Sequence, residues 1–218
     1  MQIGVIFDWD GVVIDSSRMH EESWDRLAEE VGKPLPAGHF KAGFGRKNQY
    51  IIPNILQWTH DDAEIERLGQ RKEELYREIL RETGLETLPG VRELLDSLRE
   101  HAIPCAVGSS TPRKNLDTSF TLLGLADYFT TVISADNVSH GKPHPEVFLK
   151  AAEALGIPPA QCVVIEDAHV GIEAALAGGM KVVGVATTHP IDSLEGAHQR
   201  VHRLTEITYG DLLALFNR

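Results

Sequence analysis

The sequence predicts an α/β protein in which a doubly wound parallel sheet receives a helical insert after its first strand. Short runs rich in valine and isoleucine recur along the chain, and each is followed by a helical pattern of apolar residues. Continuous apolar strands of this kind are typical of a parallel sheet that helices cover on both faces. A long helical stretch without a convincing strand separates the first two runs and predicts the insert.

Four apolar runs are predicted to form the main strands, and a fifth run is weaker. The four lie at residues 4–7, 103–107, 163–165 and 182–185, and the weaker one at 131–134. Right-handed crossovers between parallel strands place all the carboxyl ends of these strands along one edge of the sheet. Ligands of such sheets bind at that edge.

The insert is predicted to occupy residues 16–87. Its helical periodicity is clearest in residues 20–32 and 61–84. Pro89 and Gly90 mark the return to the sheet, because proline and glycine interrupt regular structure. The predicted domains are therefore a core of residues 1–15 and 88–218 and a cap of residues 16–87.

The composition indicates an ordinary globular protein of the cytoplasm. The 32 acidic and 21 basic residues give a formal net charge of −11, which repels nucleic acid and anionic membranes. No apolar stretch approaches the ~20 residues that span a bilayer, and the start MQIGVIFDWD has no basic leader. Cys105 and Cys162 lie in apolar segments, so we expect no disulfide. A cytoplasmic monomer that acts on a small molecule, without nucleic acid or membrane, is expected.

Polar residues follow the predicted strands at the edge where ligands bind. The groups are Asp8 and Asp10, Ser109 and Ser110, Lys142, and Glu166 with Asp167. Converging carboxylates repel one another unless a cation lies among them. Hard oxygen ligands without histidine or cysteine favour Mg²⁺ over zinc. The sequence therefore predicts a magnesium site at this edge.

A lysine, a hydroxyl and a carboxylate beside a cation suit the transfer of a phosphoryl group. Such transfer needs in-line positioning and neutralisation of the charge on the phosphoryl oxygens. Lys142 and Ser109 supply a fixed positive charge and a donor. A carboxylate can serve as the nucleophile and form an aspartyl-phosphate.

Each motif also has an ordinary structural role that would account for it. Asp8 and Asp10 fit a turn after a strand. The serines and the acidic pair fit caps of the helices that follow them, and a single lysine is most often a solvated surface residue. Because all four groups follow strands, we favour the functional role.

The segments DWDGV, SST, GKPHP and VIEDA resemble, in order and spacing, the four motifs of the haloacid dehalogenase superfamily. The resemblance covers nearly the whole chain and implies a Rossmann-like core that catalyses Mg²⁺-dependent phosphoryl transfer. It implies that Asp8 attacks phosphorus, whereas Asp10 protonates the leaving oxygen and later activates water. Dehalogenases of the superfamily lack an acid at the position of Asp10, so this residue favours phosphate esters.

The resemblance also implies the metal ligands. The Asp8 carboxylate, the backbone carbonyl of Asp10 and the Asp167 carboxylate would hold Mg²⁺, with Glu166 nearby.

The resemblance further implies contacts with the phosphoryl oxygens. Ser109 and Lys142 would bind them, and Ser110 is a further substrate-binding candidate. Trp9 lies between the two aspartates, where its backbone N–H faces the phosphate while its ring packs.

The insert resembles the helical cap of the subfamily that contains β-phosphoglucomutase. The matching residues are His20 in DSSRMH, Arg46 in GRK and Lys72 in RKEELY, which are candidates for substrate binding. Ordinary solvated charges or ion pairs account for Arg46 and Lys72 equally well.

Three functions are compatible with these residues. The first is a phosphatase of small phosphorylated metabolites, with sugar phosphates favoured, and the second is a β-phosphoglucomutase. The mutase pattern has Lys-Asn shortly after the serine motif, whereas this chain has Pro112 and Arg113, which favours the phosphatase. The third is a catalytically idle binding protein, which ranks last because every position that the chemistry needs is filled.

Overall fold

The computed structural model describes residues 2–43 and 46–217, and its central feature is a six-stranded parallel sheet. The strands are β1 (Gly4–Phe7), β2 (Cys105–Gly108), β3 (Thr131–Ile133), β4 (Cys162–Glu166), β5 (Lys181–Val185) and β6 (Gln199–Val201). Their order across the sheet is β3-β2-β1-β4-β5-β6. The predicted α/β fold class is confirmed.

The strand β6 was not predicted from the sequence. It consists of Gln199, Arg200 and Val201 and pairs with β5 at the edge of the sheet. Arg200 is exposed, and only Val201 is buried. Such a short edge strand has no apolar run, which is why the pattern of valine and isoleucine does not reveal it.

The chain forms two compact units, Met1–Asp15 with Glu86–Arg218 and Ser16–Leu85. The predicted domain boundaries fall after residues 15 and 87. Within the described residues, none of the helices is both long and apolar enough to cross a bilayer.

The smaller unit is helical. Its helices are α1 (Ser17–Val31), α2 (His39–Gly43), α3 (Asn48–Tyr50) and α4 (Asp62–Thr83), with a π-helical segment at Ile51–Leu56. The helices α1 and α4 pack together through apolar faces that include Trp24, Leu27 and Leu68. The side chain of Asp61 accepts a hydrogen bond from the Glu64 N–H at 2.8 Å and so begins α4 with an N-cap.

Within the described residues, the larger unit adds five α-helices to the sheet. They are α5 (Val91–Glu100), α6 (Arg113–Leu123), α7 (Glu146–Leu155), α8 (His169–Ala177) and α9 (Tyr209–Ala214). Ile6 and Val164 on one face of the sheet join a core cluster with Phe148 of α7 and Ile172 of α8. Their neighbours along the strands are buried as well, so both faces of the sheet are covered.

The direction of the chain across the sheet reverses at β1. From β1 the chain continues through β2 to β3 on one side, and it then crosses to β4 on the other side. Ligands of open parallel sheets bind at such a reversal, beyond the carboxyl ends of the strands. Asp8 directly follows β1, and Glu166 ends β4 beside it, so the acidic residues lie at the reversal.

Candidate active site

Lys142 joins two acidic residues at the carboxyl ends of neighbouring strands. Its Nζ donates hydrogen bonds to Oδ1 of Asp8 at 2.7 Å and to Oε1 of Glu166 at 2.6 Å. The Lys142 side chain is only 6% exposed. Its burial opposes the charge, but the Asp8 and Glu166 carboxylates outweigh burial and raise the pKa of Lys142 above its usual value. The ammonium is therefore a fixed positive charge in the site.

Glu166 is buried and uses both carboxylate oxygens. Oε1 accepts from Lys142, and Oε2 accepts from the backbone N–H groups of Asp167 and Ala168, each at 2.7 Å. The close approach requires glycine at position 171, because a Cβ there would lie 1.7 Å from Oε1. These bonds support a role in holding Lys142, and metal ligation by Glu166 remains a prediction.

Two residues that were not among the candidates, Thr188 and Gly11, lie against Oδ2 of Asp167. The Thr188 hydroxyl donates to Oδ2 of Asp167 at 2.5 Å. Gly11 has φ +81°, and a Cβ at this position would lie 2.0 Å from the same oxygen. The glycine of DWDGV indicates a position where another group lies close to the backbone, whereas Thr188 lies in a loop without a distinctive sequence pattern.

The carboxylates of Asp8, Glu166 and Asp167 form a cluster that suits a divalent cation. One oxygen from each lies within 4.8 Å of the others, and all three residues are buried. Burial raises the pKa of Asp8 well above its usual value, and burial together with Glu166 raises the pKa of Asp167 to about 7. Three buried carboxylates beside one ammonium attract a hard cation, so the donor set fits Mg²⁺.

Asp10 is hydrogen-bonded to Thr111, the third residue of the SST segment, which was not among the candidate site residues. The Thr111 hydroxyl donates to Oδ2 of Asp10, and its backbone N–H donates to Oγ of Ser109 at 3.0 Å. The Ser109 N–H donates to the Ile133 carbonyl at 2.9 Å and so anchors the end of β2. Thr111 therefore links the second aspartate to the serine motif, whereas Ser110 is exposed.

Trp9 packs in the interior of the larger unit. The residue is 1% exposed. The centroid of its ring lies 4.6 Å from that of Phe120 and 6.2 Å from that of Phe129. The indole therefore contributes packing. A role for the backbone N–H in phosphate binding stays a prediction.

In the helical unit, the structure brings His20 and Lys72 together. Lys72 is 3% exposed, and its Nζ lies 2.7 Å from Nδ1 of His20 and 3.0 Å from Oε1 of Glu73. The His20 ring stacks on Tyr76 with 4.0 Å between ring centroids. A buried lysine held by histidine and carboxylate differs from the solvated charges that are common on helices.

Arg46 lies on the surface of the helical unit. It is exposed, and its guanidinium stacks over the Tyr50 ring at 4.4 Å from the centroid. Exposure and stacking leave its donors accessible to an anion. Substrate binding by Arg46, as by His20 and Lys72, stays a prediction.

Pro112 and Arg113 follow the SST segment, and neither presents a free donor group to a phosphate. Pro112 precedes α6 and has no N–H to donate. The Arg113 guanidinium forms an exposed ion pair with Asp117 at 2.7 Å, and its backbone N–H donates to Asp136. The Arg113 side chain is therefore bound to Asp117, one turn further along α6.

The fold and this arrangement define a hydrolase of the haloacid dehalogenase type, and the chain belongs to the haloacid dehalogenase-like hydrolase family, whose model matches residues 4–179. The chain is 37% identical, over 98% of its length, to the chloroplastic 5-amino-6-(5-phospho-D-ribitylamino)uracil phosphatase of Arabidopsis thaliana. It spans only 57% of that protein. It is also 31% identical to the β-phosphoglucomutase of Bacillus subtilis, with 94% of this chain and 91% of that protein covered.

A solved structure supports the same assignment. The family IA, variant 3 HAD hydrolase of Entamoeba histolytica matches with a TM-score of 0.90 and 28% identity, and the match covers 100% of both chains. The resemblance inferred from the four motifs is therefore confirmed at the level of the family and of the fold.

Proposed function

We propose that this chain is a Mg²⁺-dependent phosphatase that hydrolyses small phosphorylated metabolites through an aspartyl-phosphate. The observation that carries the proposal is the position of Lys142, whose ammonium joins Asp8 to Glu166 at the reversal of the sheet. A carboxylate that is held against a fixed positive charge beside a cation site is suited to attack a phosphoryl group.

In the first half of the proposed reaction, a carboxylate oxygen of Asp8 attacks phosphorus and the bond from phosphorus to the ester oxygen breaks. Asp10 donates its proton to the leaving oxygen, and the alcohol departs. The hydrogen bond from Thr111 orients the Asp10 carboxyl group for this transfer. Ser109 and Lys142 bind the phosphoryl oxygens.

In the second half, Asp10 accepts a proton from a water molecule that attacks the phosphorus of the aspartyl-phosphate. The bond between phosphorus and Asp8 breaks, inorganic phosphate leaves, and the Asp8 carboxylate is regenerated. Asp8, Asp167 and the Asp10 carbonyl would hold Mg²⁺, with Glu166 beside them. When bound, the ion neutralises negative charge on the phosphoryl oxygens.

Sugar and sugar-alcohol phosphates are the substrate class that we favour. The Arabidopsis relative is named for a substrate with a phosphorylated ribityl chain, and the Bacillus relative is a phosphoglucomutase. Both names describe a phosphate ester on a polyhydroxy chain. We expect the chain to act on such an ester as a cytoplasmic monomer, without nucleic acid or membrane.

A β-phosphoglucomutase activity is the alternative, and the exposed guanidinium of Arg46 favours it, because its donors are accessible to an anion. An enzyme that isomerises a sugar phosphate must hold a second phosphate while the intermediate turns, which requires a cationic group away from Asp8. Pro112 and the pairing of Arg113 with Asp117 count against the mutase, because proline has no side-chain donor or N–H and the Arg113 guanidinium is already bound to a carboxylate.

One assay separates these functions. The protein is incubated with Mg²⁺ and a panel of esters that includes β-glucose 1-phosphate, fructose 1-phosphate and the phosphorylated ribitylaminouracil. Free phosphate and glucose 6-phosphate are both measured, and Asp8→Asn is the inactive control. Release of phosphate faster than isomerisation supports the phosphatase, and faster isomerisation supports the mutase. A protein that converts no ester in the presence of Mg²⁺ contradicts both.

A further inference from the structure

Lys142 lies in a segment without helix or strand, and its own backbone does not account for the position of its ammonium. Residues 138–145 connect a short 3₁₀ turn at Ala135–Asn137 to α7. Within the segment, the His144 N–H donates to the Gly141 carbonyl at 3.0 Å. A loop of this kind needs anchors outside itself if it is to hold a charged group at hydrogen-bond distance from two carboxylates.

The Glu146 carboxylate is such an anchor. Its oxygens accept from the Ser139 N–H at 3.1 Å and from the His140 N–H at 2.9 Å. These two amides lie just before Lys142 in the chain, whereas Glu146 lies just after it. The carboxylate therefore closes a ring of chain that has Lys142 at its centre.

A second link ties the same carboxylate to the sheet. The Lys150 ammonium lies 2.9 Å from Oε1 of Glu146 and donates to the Asn137 carbonyl at 2.6 Å. The Asn137 side chain in turn accepts from the backbone N–H and hydroxyl of Ser134, a buried residue just after β3. The loop is thus held between the end of β3 and the first turn of α7.

The helix α7 also touches the lysine directly. The Lys142 ammonium lies 4.7 Å from the centroid of the Phe148 ring, and Phe148 is fully buried against Gly108 of β2. Two residues of α7, Glu146 and Phe148, therefore define where the lysine segment and its charge lie.

Neither the helix dipole nor a metal site accounts for the whole set of Glu146 contacts. An acidic residue in the first turn of a helix interacts favourably with the helix dipole, but this does not require bonds to amides six and seven residues earlier. His140 and His144 lie near the carboxylate and could form a metal site with it. The Lys150 ammonium beside Oε1 repels a cation there, and the Glu146 oxygens are already used.

We propose that Glu146 is a positioning residue for phosphoryl transfer, which holds the 138–145 segment so that the Lys142 ammonium reaches Asp8 and Glu166. Glu146 itself touches neither of these carboxylates in the described contacts and acts through the lysine. The kinetic part of the inference depends on the proposed phosphatase activity, but the structural coupling between Glu146 and Lys142 does not.

A double-mutant cycle tests the inference, with Glu146→Ala, Lys142→Met and the double variant. The rate is measured with 4-nitrophenyl phosphate, whose good leaving group keeps weak activity detectable, and Glu153→Ala is the matched control on an exposed position of α7. We expect Glu146→Ala to lower kcat/KM about 10- to 100-fold, mainly through kcat, and Glu153→Ala to change it less than about twofold. Glu146→Gln, which keeps one acceptor oxygen, should recover part of the loss.

In the Lys142→Met background, Glu146→Ala should lower kcat/KM further by no more than about threefold. The inference would be overturned if the losses in kcat/KM of the two single variants multiply in the double variant, or if kcat/KM of Glu146→Ala stays within about threefold of the wild type. The same cycle is measured by urea unfolding, which needs no turnover. If the wild type hydrolyses no ester, the proposed function fails. The inference about Glu146 is then tested by urea unfolding alone. It is overturned if Glu146→Ala lowers the free energy of unfolding by the same amount with Lys142 and with Met at position 142.

Discussion

Lys142 donates a hydrogen bond to Asp8 at 2.7 Å across 134 positions of sequence, and both side chains are close to fully buried. The ammonium also contacts Glu166, so one positive charge serves two carboxylates in the interior. Removing one partner of a buried ionic group leaves the other charges without compensation, which costs more free energy than an exposed pair contributes. The relationship therefore affects stability as well as chemistry.

Lys142→Met should destabilise the metal-free protein by about 3–5 kcal/mol, because Asp8 and Glu166 then lose their common cation. Methionine retains most of the volume, so the loss reflects charge and hydrogen bonding. Urea unfolding in the presence of a chelator measures the difference. Lys114→Met, at an exposed position of α6, is the control and should change the unfolding free energy by less than about 0.5 kcal/mol. A loss below about 1 kcal/mol for Lys142→Met would mean that the ion pair is solvated.

Asp10→Asn should affect two kinds of ester differently. An asparagine cannot donate the carboxyl proton, so hydrolysis of a sugar phosphate, whose alkoxide leaves poorly, should fall about 10²- to 10⁴-fold. The loss on 4-nitrophenyl phosphate should be smaller, because its leaving group needs no proton. Steady-state kinetics on both esters give the comparison, with Asp127→Asn at an exposed position as the control. Equal losses on the two esters would remove Asp10 from the role of general acid.

The sequence predicted the acidic and basic residues of the site because parallel topology brings their backbones together. Asp8 follows a strand, Glu166 ends one, and Lys142 lies in a segment between β3 and α7. Runs of valine and isoleucine locate the strands, and the topology places their carboxyl ends at one edge. Convergence of Asp8 and Glu166 therefore followed from elements that a local pattern can reveal, whereas the position of Lys142 also depends on contacts that hold its loop.

The contacts of the Thr111 and Thr188 hydroxyls could not be predicted in the same way. Each contributes through the direction of one hydroxyl, toward Asp10 and Asp167 respectively. Threonines are common in loops, and side-chain direction depends on the packed backbone, which periodicity does not describe. The burial of Lys72 has the same origin, because the packing of α1 on α4 brings His20 to it, whereas Tyr76 is its neighbour one turn along α4.

Thr188→Val should weaken Mg²⁺ binding. The hydroxyl fixes the Asp167 carboxylate through Oδ2, and partners of this kind orient metal ligands at a cost of about 10- to 100-fold in affinity when removed. The Mg²⁺ concentration for half-maximal activity measures the effect, and Thr187→Val at the exposed neighbouring position is the matched control. An unchanged Mg²⁺ requirement in Thr188→Val would show that Asp167 is oriented without this hydroxyl.

The stabilising effect of Glu146 should disappear in acid. Hydrogen bonds from Lys150 and from the Ser139 and His140 N–H groups lower the pKa of Glu146 to about 2, below the ordinary value of 4.5. A carboxyl group with a lowered folded-state pKa contributes stability above its unfolded pKa, and this contribution is lost as pH falls toward the folded pKa. The difference in unfolding free energy between wild type and Glu146→Gln should therefore be constant above about pH 5 and shrink toward pH 2. A difference that does not change over this range would mean that the Glu146 charge is not involved.

Arg46→Ala should change the recognition of the sugar more than the chemistry at phosphorus. The guanidinium is exposed and stacks on Tyr50, so it is available to an anionic or hydroxyl-rich ligand and contributes little to the apolar core of the helical unit. If it contacts the part of the substrate beyond the phosphoryl group, KM for a sugar phosphate should rise about tenfold, whereas KM for 4-nitrophenyl phosphate, which has no sugar, should change less than about twofold. Lys47→Ala, at the exposed adjacent position, is the control.

The same variant distinguishes hydrolysis from isomerisation. In a mutase, loss of a cation that holds the second phosphate would reduce conversion of β-glucose 1-phosphate to glucose 6-phosphate through kcat, because the bisphosphate would escape before it returns a phosphoryl group to Asp8. In a phosphatase no such intermediate must be retained, so the effect is confined to KM. Pro112 and the ion pair of Arg113 with Asp117 lead us to expect the KM effect. A loss of kcat for isomerisation, together with acceleration by added glucose 1,6-bisphosphate in the wild type, would instead establish the mutase.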